Sequence, residues 1–229
     1  VSRLYAGSMG VLGLLAEVSI KVLPVAPTEA TLSFEMDQAT ALAALNRWGG
    51  QPLPLNASCW VQDDTAPGSP ELLFVRLRGA AAAVDAACRK MLGDLPGCQM
   101  DALQAGGDWV ACRHQKLPFF QDASGVGAQS RELWRLSLPA IAPALETAWP
   151  QLIEWHGAQR WLWTPTGEHT RVHQLAAAAG GNASLWRAAS SEATRFAPLP
   201  PAIAAIQRGL KAEFDPAGIL NPGRLYPEI

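Results

Sequence analysis

The strongest constraint on this chain is a change of hydrophobic period that recurs from Ala30 onward. Apolar residues alternate over Ala30–Met36, then recur at helical spacing over Gln38–Trp48. The alternation returns over Leu55–Gln62 and Glu71–Arg78, gives way to an alanine-rich helical stretch at Ala80–Leu92, and returns again at Gln99–Leu103. A period of two marks a half-buried strand and a period near 3.6 marks an amphipathic helix. The resulting order is β-α-β-β-α-β, the split ferredoxin-like arrangement. The rhythm continues with a helix at Gly107–Phe119, a strand at Glu132–Ser137, a helix at Ala142–Trp149, a strand at Ala158–Trp163, a helix at Arg171–Ala179 and a strand at Ala183–Arg187. Short connections between such strands favour antiparallel neighbours. The expected fold is therefore α+β, an antiparallel sheet with helices packed on one face.

Both ends depart from this rhythm. Residues Leu14–Leu23 alternate apolar and polar side chains after a glycine cluster, which predicts a half-buried strand, and Pro24 and Pro27 place a boundary near residue 27. After Pro200-Pro201, the residues Ile203, Ile206, Leu210 and Phe214 define a last amphipathic helix. Asp215-Pro216 stops it, because a residue before proline avoids helical geometry. In the tail, Asn221-Pro222-Gly223 suits a type II turn, with proline setting φ at one central position and glycine accepting a positive φ at the next.

Composition removes several functional classes. With 18 Lys+Arg against 20 Asp+Glu and a formal net charge of -2, the chain carries no broad cationic field for nucleic acid or for an anionic membrane surface. Hydrophobic residues make up 49% and charged residues 17% of 229, which argues against disorder. The apolar run Met9–Ala16 is far shorter than the roughly 20 residues that span a bilayer. Cys59, Cys88, Cys98 and Cys112 form no C-x-x-C pair and read as free thiols of a reducing compartment.

Four constellations could carry chemistry. The glycines around Ser8 (Gly7, Gly10, Gly13) fit neither a Rossmann fingerprint nor a Walker loop, since the regular strand follows them and no Lys-Ser/Thr does. They remain either a loop whose bare backbone approaches a phosphate or a flat ring, or a plain turn, and spacing alone favours the turn. His169 and His173 stand four apart, as a shared metal site or, with no third ligand nearby, as a polar first turn of a helix. Trp109 and Arg113 share a helix face, with Arg113 as a carboxylate clamp or as a surface cation beside an aromatic ring. Trp161 and Trp163 fill a core or mark a partner surface.

The segment Ser2-Arg3-Leu4-Tyr5-Ala6-Gly7-Ser8-Met9-Gly10-Val11-Leu12-Gly13, continued by Glu17–Pro24, resembles the end of the FAD-binding domain in FAD-linked oxidases of the vanillyl-alcohol-oxidase type. The tail Phe214-Asp215-Pro216-Ala217-Gly218-Ile219-Leu220-Asn221-Pro222-Gly223-Arg224-Leu225 resembles the C-terminal signature of the same family. The resemblance implies that Gly7, Ser8, Gly10, Gly13 and Asn221 belong to the FAD side, and that Arg113 meets a substrate carboxylate. It divides the chain into residues 1–27 as a remnant of the FAD-binding domain, 28–198 as the cap domain and 199–229 as a helix and tail returning to the flavin side. The H-x-G-D-G-N-x-H and E-H-G-x-G stretches of catalytic relatives do not occur here. The family reading is thus an auxiliary flavin subunit of a complex that oxidises a 2-hydroxy acid such as glycolate to the 2-oxo acid. Its partners would be a catalytic flavin subunit and an iron–sulfur subunit, in the cytoplasm or peripheral at the inner face of the membrane. FAD is expected of the full-length protein and not of these residues alone. Two alternatives stay open: a self-sufficient dehydrogenase with Arg113 as clamp and His114 or His169 as base, and a non-catalytic assembly module.

Overall fold

The computed structural model describes residues 2–62, 68, 70–121, 131–188, 195–227 and 229. The chain divides into two compact units, one formed by Val25–Ala193 and one by Val1–Pro24 with Thr194–Ile229.

The larger unit is built on one eight-stranded sheet. Its elements in chain order are β1 (Thr28–Glu35), α2 (Gln38–Gly49), β2 (Leu55–Val61), β3 (Leu72–Gly79), α3 (Ala81–Asp94), β4 (Cys98–Gln99), α4 (Ala102–Arg113), β5 (Arg131–Ser137), β6 (Gln151–Glu154), β7 (Gln159–Pro165), α5 (His169–Ala178) and β8 (Asn182–Arg187). Every strand pair is antiparallel, in the spatial order β4-β1-β3-β2-β6-β7-β5-β8. The order β4-β1-β3-β2 of the first half recurs in the second as β8-β5-β7-β6, and the two runs join where β2 pairs β6 through Cys59↔Glu154, Trp60↔Ile153 and Val61↔Leu152. The loop expected between Gln62 and Pro70 lies largely outside the described residues.

Alternation decides which side chains meet. On one face Leu32, Phe34, Trp60, Leu73 and Val75 pack under α2 and α3, which contribute Leu42, Leu45, Trp48, Val84 and Met91. Farther along the same face Trp134, Leu136, Leu162 and Leu185 pack under Val172 and Ala176 of α5. Asp37 starts α2, its carboxylate accepting the Thr40 N–H at 2.7 Å, and Asp101 starts α4 by accepting from Leu103 and Gln104. Three helices thus gather on one face, as expected, and α4 crosses the other.

Several local expectations change, among them the strand expected at Gln99–Leu103, which ends at Gln99 because Asp101 caps α4 and draws Ala102 and Leu103 into the helix. The helix expected at Ala142–Trp149 does not form, because other groups take its backbone. The fully buried Arg160 guanidinium donates to the carbonyls of Pro143 and Ala142 at 2.6 Å each and to Gly157 O at 3.2 Å. Gln38 Oε1 accepts the Leu145 N–H at 2.8 Å, and Gln151 donates to Leu145 O at 3.2 Å. The helix expected at Gly107–Phe119 runs instead over Ala102–Arg113, with a separate 3-10 turn at Pro118–Phe120. The strand β6, absent from the sequence reading, occupies the space that opens after Pro150.

The smaller unit contains a short N-terminal helix α1 (Ser2–Tyr5) and the long α6 (Pro201–Phe214). Proline at the start of α6 is favourable, since its missing N–H would have no helical partner there. The strand expected at Leu14–Leu23 does not form: Val18, Ile20 and Val22 are 62%, 77% and 80% exposed. Alternation produces a strand only beside a neighbour that completes its hydrogen bonds, and no described strand adjoins this run.

Burial lowers the Arg160 pKa to about 10, so the group stays charged at neutral pH, donating to three carbonyl oxygens. Arg160→Ala leaves those buried carbonyls unpaired and is expected to cost about 3–5 kcal/mol in denaturant unfolding. A loss below about 1 kcal/mol would contradict the bracing role.

Candidate functional site

On the face crossed by α4, charged and polar side chains line a cleft. α4 is fixed by two polar contacts to the sheet: Trp109 Nε1–H donates to Thr31 Oγ1 at 2.9 Å, and Cys112 Sγ–H donates to Glu154 Oε1 at 3.2 Å. Along one flank of α4 lies a cleft of about 520 Å³, lined by Ser58, Arg76, Arg113, Glu154, Trp155 and His156 among others.

The charges in this cleft are unequal. Arg76 Nη2 donates to both carboxylate oxygens of Glu29, at 2.6 and 2.9 Å, and Arg78 Nε lies 3.2 Å from the same carboxylate. Glu154 accepts from Trp161 Nε1 at 2.6 Å, Gln159 at 2.9 Å and Cys112. Arg113 is exposed and makes no ion pair among the described residues; its Nη2 lies 3.4 Å from His114 Nε2. It is the uncompensated cation of the cleft. Trp109 does not hold Arg113 as the helical spacing suggested; the cation over its ring is Arg76, 5.9 Å from the centroid.

The turn after β6 shapes the opposite wall. Trp155, His156 and Gly157 have φ of 52°, 52° and 101°, a left-handed run that bulky residues rarely adopt. Ser58 Oγ accepts the His156 N–H at 2.9 Å, and a Cβ on Gly157 would stand 2.8 Å from Ala140 O. Burial pulls the His156 pKa below its ordinary 6.5, so the ring is neutral at pH 7. Its Nδ1 is buried with no hydrogen-bond partner. Strained backbone at a polar cleft is a recurrent mark of function.

The other histidines are placed differently. His169 Nε2 lies 3.0 Å from the buried Glu132, and the rings of His169 and His173 both meet the edge of Trp134, at 5.0 and 5.2 Å. These groups belong to the helix-covered face, away from Arg113. Trp161 packs in the core beside α4 with Phe120, and Trp163 donates to Phe119 O at 2.6 Å. Arg76, Glu154 and His156 were not singled out in the sequence, because only strand pairing brings them to one cleft.

In the smaller unit the glycine loop and the tail meet. Gly7 and Gly10 have φ of +83° and +79°, and Ser8 between them is buried. Asn221 Nδ2–H donates to Met9 O at 2.7 Å, and a Cβ on Gly10 would stand 2.7 Å from that amide nitrogen. Gly13 passes equally close to the Tyr5 ring. Around Gly7 an added Cβ would meet nothing within 4 Å, which leaves its backbone open. The Asn221 turn closes through Arg224 N–H to Asn221 O at 3.2 Å, with Gly223 at φ +71°. Lys211 Nζ binds the two segments, donating to Val11 O at 2.9 Å, Leu220 O at 2.6 Å and Asp215 Oδ2 at 2.7 Å.

No family model matches the chain. Across its whole length it is similar to a glycolate oxidase subunit. The relative is the glycolate oxidase subunit GlcE of Escherichia coli (strain K12), 37% identical over 229 residues. The alignment takes in 100% of this chain and 58% of that relative, so the chain spans a little under three-fifths of its length. Among the described residues no helix is long and apolar enough to cross a membrane.

The hydrogen bond from Lys211, followed by the N–H of Leu220, holds the Asp215 carboxyl below its ordinary value of 3.8. A lowered folded-state pKa contributes stability that is complete above the unfolded value and is lost as pH falls through the folded one. Asp215→Asn is therefore expected to lower the urea midpoint at pH 7, and the gap from the unchanged protein is expected to close only as pH falls below 3.8. A gap independent of pH would contradict it.

Proposed function

We propose that this chain is the cap and C-terminal part of an FAD-linked subunit in a complex that oxidises a 2-hydroxy acid, glycolate or a close homologue, to the 2-oxo acid. The observation that carries the reading is the similarity to a glycolate oxidase subunit over the entire chain. The strand order repeated in the two halves of the sheet supports reading Val25–Ala193 as two ferredoxin-like repeats of a cap domain.

The smaller unit fits a cofactor-holding role. Gly7 offers open backbone in a left-handed conformation, Ser8 adds a hydroxyl, and Gly10 and Gly13 allow the loop to close on Asn221 and Tyr5. Gly7, Ser8, Gly10, Gly13 and Asn221 would form part of the FAD-binding surface, which backbone N–H groups without side chains suit well. When bound, FAD supplies the two-electron acceptor for the carbinol carbon.

The residues of the cleft suit the substrate. Arg113 holds the carboxylate, since its planar fork matches two oxygens and no protein carboxylate competes for it among the described residues. Arg76, paired with Glu29 through Nη2, adds positive potential to the cleft. In the alternative of a self-sufficient dehydrogenase, the neutral His156 ring, which lines the same cleft, would accept the proton of the substrate hydroxyl, whereas His169 lies on the helix-covered face beside Glu132. The partners of the complex would be a catalytic flavin subunit and an iron–sulfur subunit.

The test is steady-state kinetics of the assembled complex carrying Arg113→Ala in this subunit. The expected result is a rise in KM for glycolate of about tenfold to a hundredfold with little change in kcat, partly reversed by Arg113→Lys. An unchanged KM in an intact complex would favour a subunit that assembles without touching substrate.

A further inference from the structure

On the other flank of α4 the structure holds a second, separate space. It is a cavity of about 270 Å³ between α4, the 3-10 turn and the sheet, lined by Leu72, Phe74, Met100, Ala105, Trp109 and Phe119 among others. We propose that this cavity is a binding site for an uncharged aromatic molecule larger than a single benzene ring, independent of the carboxylate cleft.

Packing makes the space notable. On the helix-covered face Leu73 and Val75 are fully buried, whereas their strand neighbours Leu72 and Phe74, pointing the opposite way, remain only half-buried. The space is an apolar pocket with one open side rather than a sealed interior void. It has a cause in the sequence. Ala105 presents only a methyl group to the cavity, and Gly106 and Gly107 add no bulk beside it. The helix is held at its distance by Trp109 and Cys112, the polar contacts that separate the cavity from the cleft.

The lining also defines the ligand class. Thr31 Oγ1 already accepts from Trp109, the Cys112 thiol donates to Glu154, and the Cys59 thiol rests against Cys112, a contact that together with burial pushes its pKa well up. None of these polar groups asks for a ligand partner. The charged member of the lining, Asp108, is exposed and would repel an anion. Phe74, Trp109 and Phe119 supply ring faces and edges, and Met100 supplies an adaptable thioether, a set suited to a flat apolar guest. An apolar cavity of about 150 Å³ accepts benzene, so the larger volume here accommodates a fused bicyclic ring.

The experiment is a ¹⁹F NMR titration of the full-length subunit with 1-fluoronaphthalene, alongside 1-naphthoate as the charged analogue. Saturable one-to-one binding is expected, with 1-naphthoate at least tenfold weaker. Intermolecular NOEs from the naphthalene ring to Met100 and Leu72 methyl groups locate the guest without any variant. Ala105→Phe and Met100→Trp each narrow the cavity from a different wall and are expected to weaken binding at least tenfold, whereas Arg113→Ala leaves it unchanged. Absence of saturable binding, equal affinity for 1-naphthoate, or NOEs to other regions would each overturn the assignment. Because Arg113 takes no part, a failure here leaves the hydroxy-acid reading untouched, and a failure of that reading leaves this one standing.

Discussion

The buried guanidinium of Arg160 organises the half of the sheet that sequence periodicity describes least well. A charge fully removed from water is tolerable only when strong dipoles surround it, and here the carbonyls of Ala142, Pro143 and Gly157 do so. Those carbonyls come from the connection between β5 and β6 and from the turn between β6 and β7. One side chain therefore fixes two loops against the strand that carries it. In the first half of the sheet the corresponding space is filled by α2, whose carbonyls accept from its own backbone N–H groups. In the second half the arginine replaces a helix with a braced coil.

That bracing reaches the cleft. The turn held by Arg160 includes Gly157, whose approach to Ala140 excludes any side chain, and it places Trp155 and His156 in left-handed conformations. Trp155 is left 70% exposed as a result. His156 enters a partly desolvated position where its neutral form is favoured. Across the cleft, α4 is attached through Trp109 and Cys112, and Arg113 follows directly after the second of these anchors. The clamp is thus positioned by neighbours on its helix, while its own charge remains available.

Much of this fold is legible from period alone. The alternation in β1, β2 and β3 and the stripes of α2, α3 and α5 survive because each lies beside partners supplied by the same stretch of chain. The failures have a common physical origin. Leu14–Leu23 has the period of a strand and no neighbouring strand to complete it. Ala142–Trp149 has the composition of a helix, yet Arg160, Gln38 and Gln151, remote in sequence or hidden on strands, capture its backbone groups. Arg113 was recognisable as a candidate because arginine near an aromatic residue is a common clamp. Its true neighbours were not, since Arg76 and Glu154 reach the cleft only through strand register.

By itself the sequence determined the α+β class, the positions of most strands and helices, and the turn chemistry of the glycine loop and of Asn221-Pro222-Gly223, because these follow from local backbone preference and hydrophobic period. Only the tertiary structure decided that Asn221 closes on the glycine loop through Met9, that Glu29 pairs with Arg76 while Arg113 has no ion pair among the described residues, and that α4 stands off the sheet far enough to leave an apolar pocket. Those outcomes depend on which distant backbone or side chain arrives first at a hydrogen-bonding group, and no local period encodes that competition.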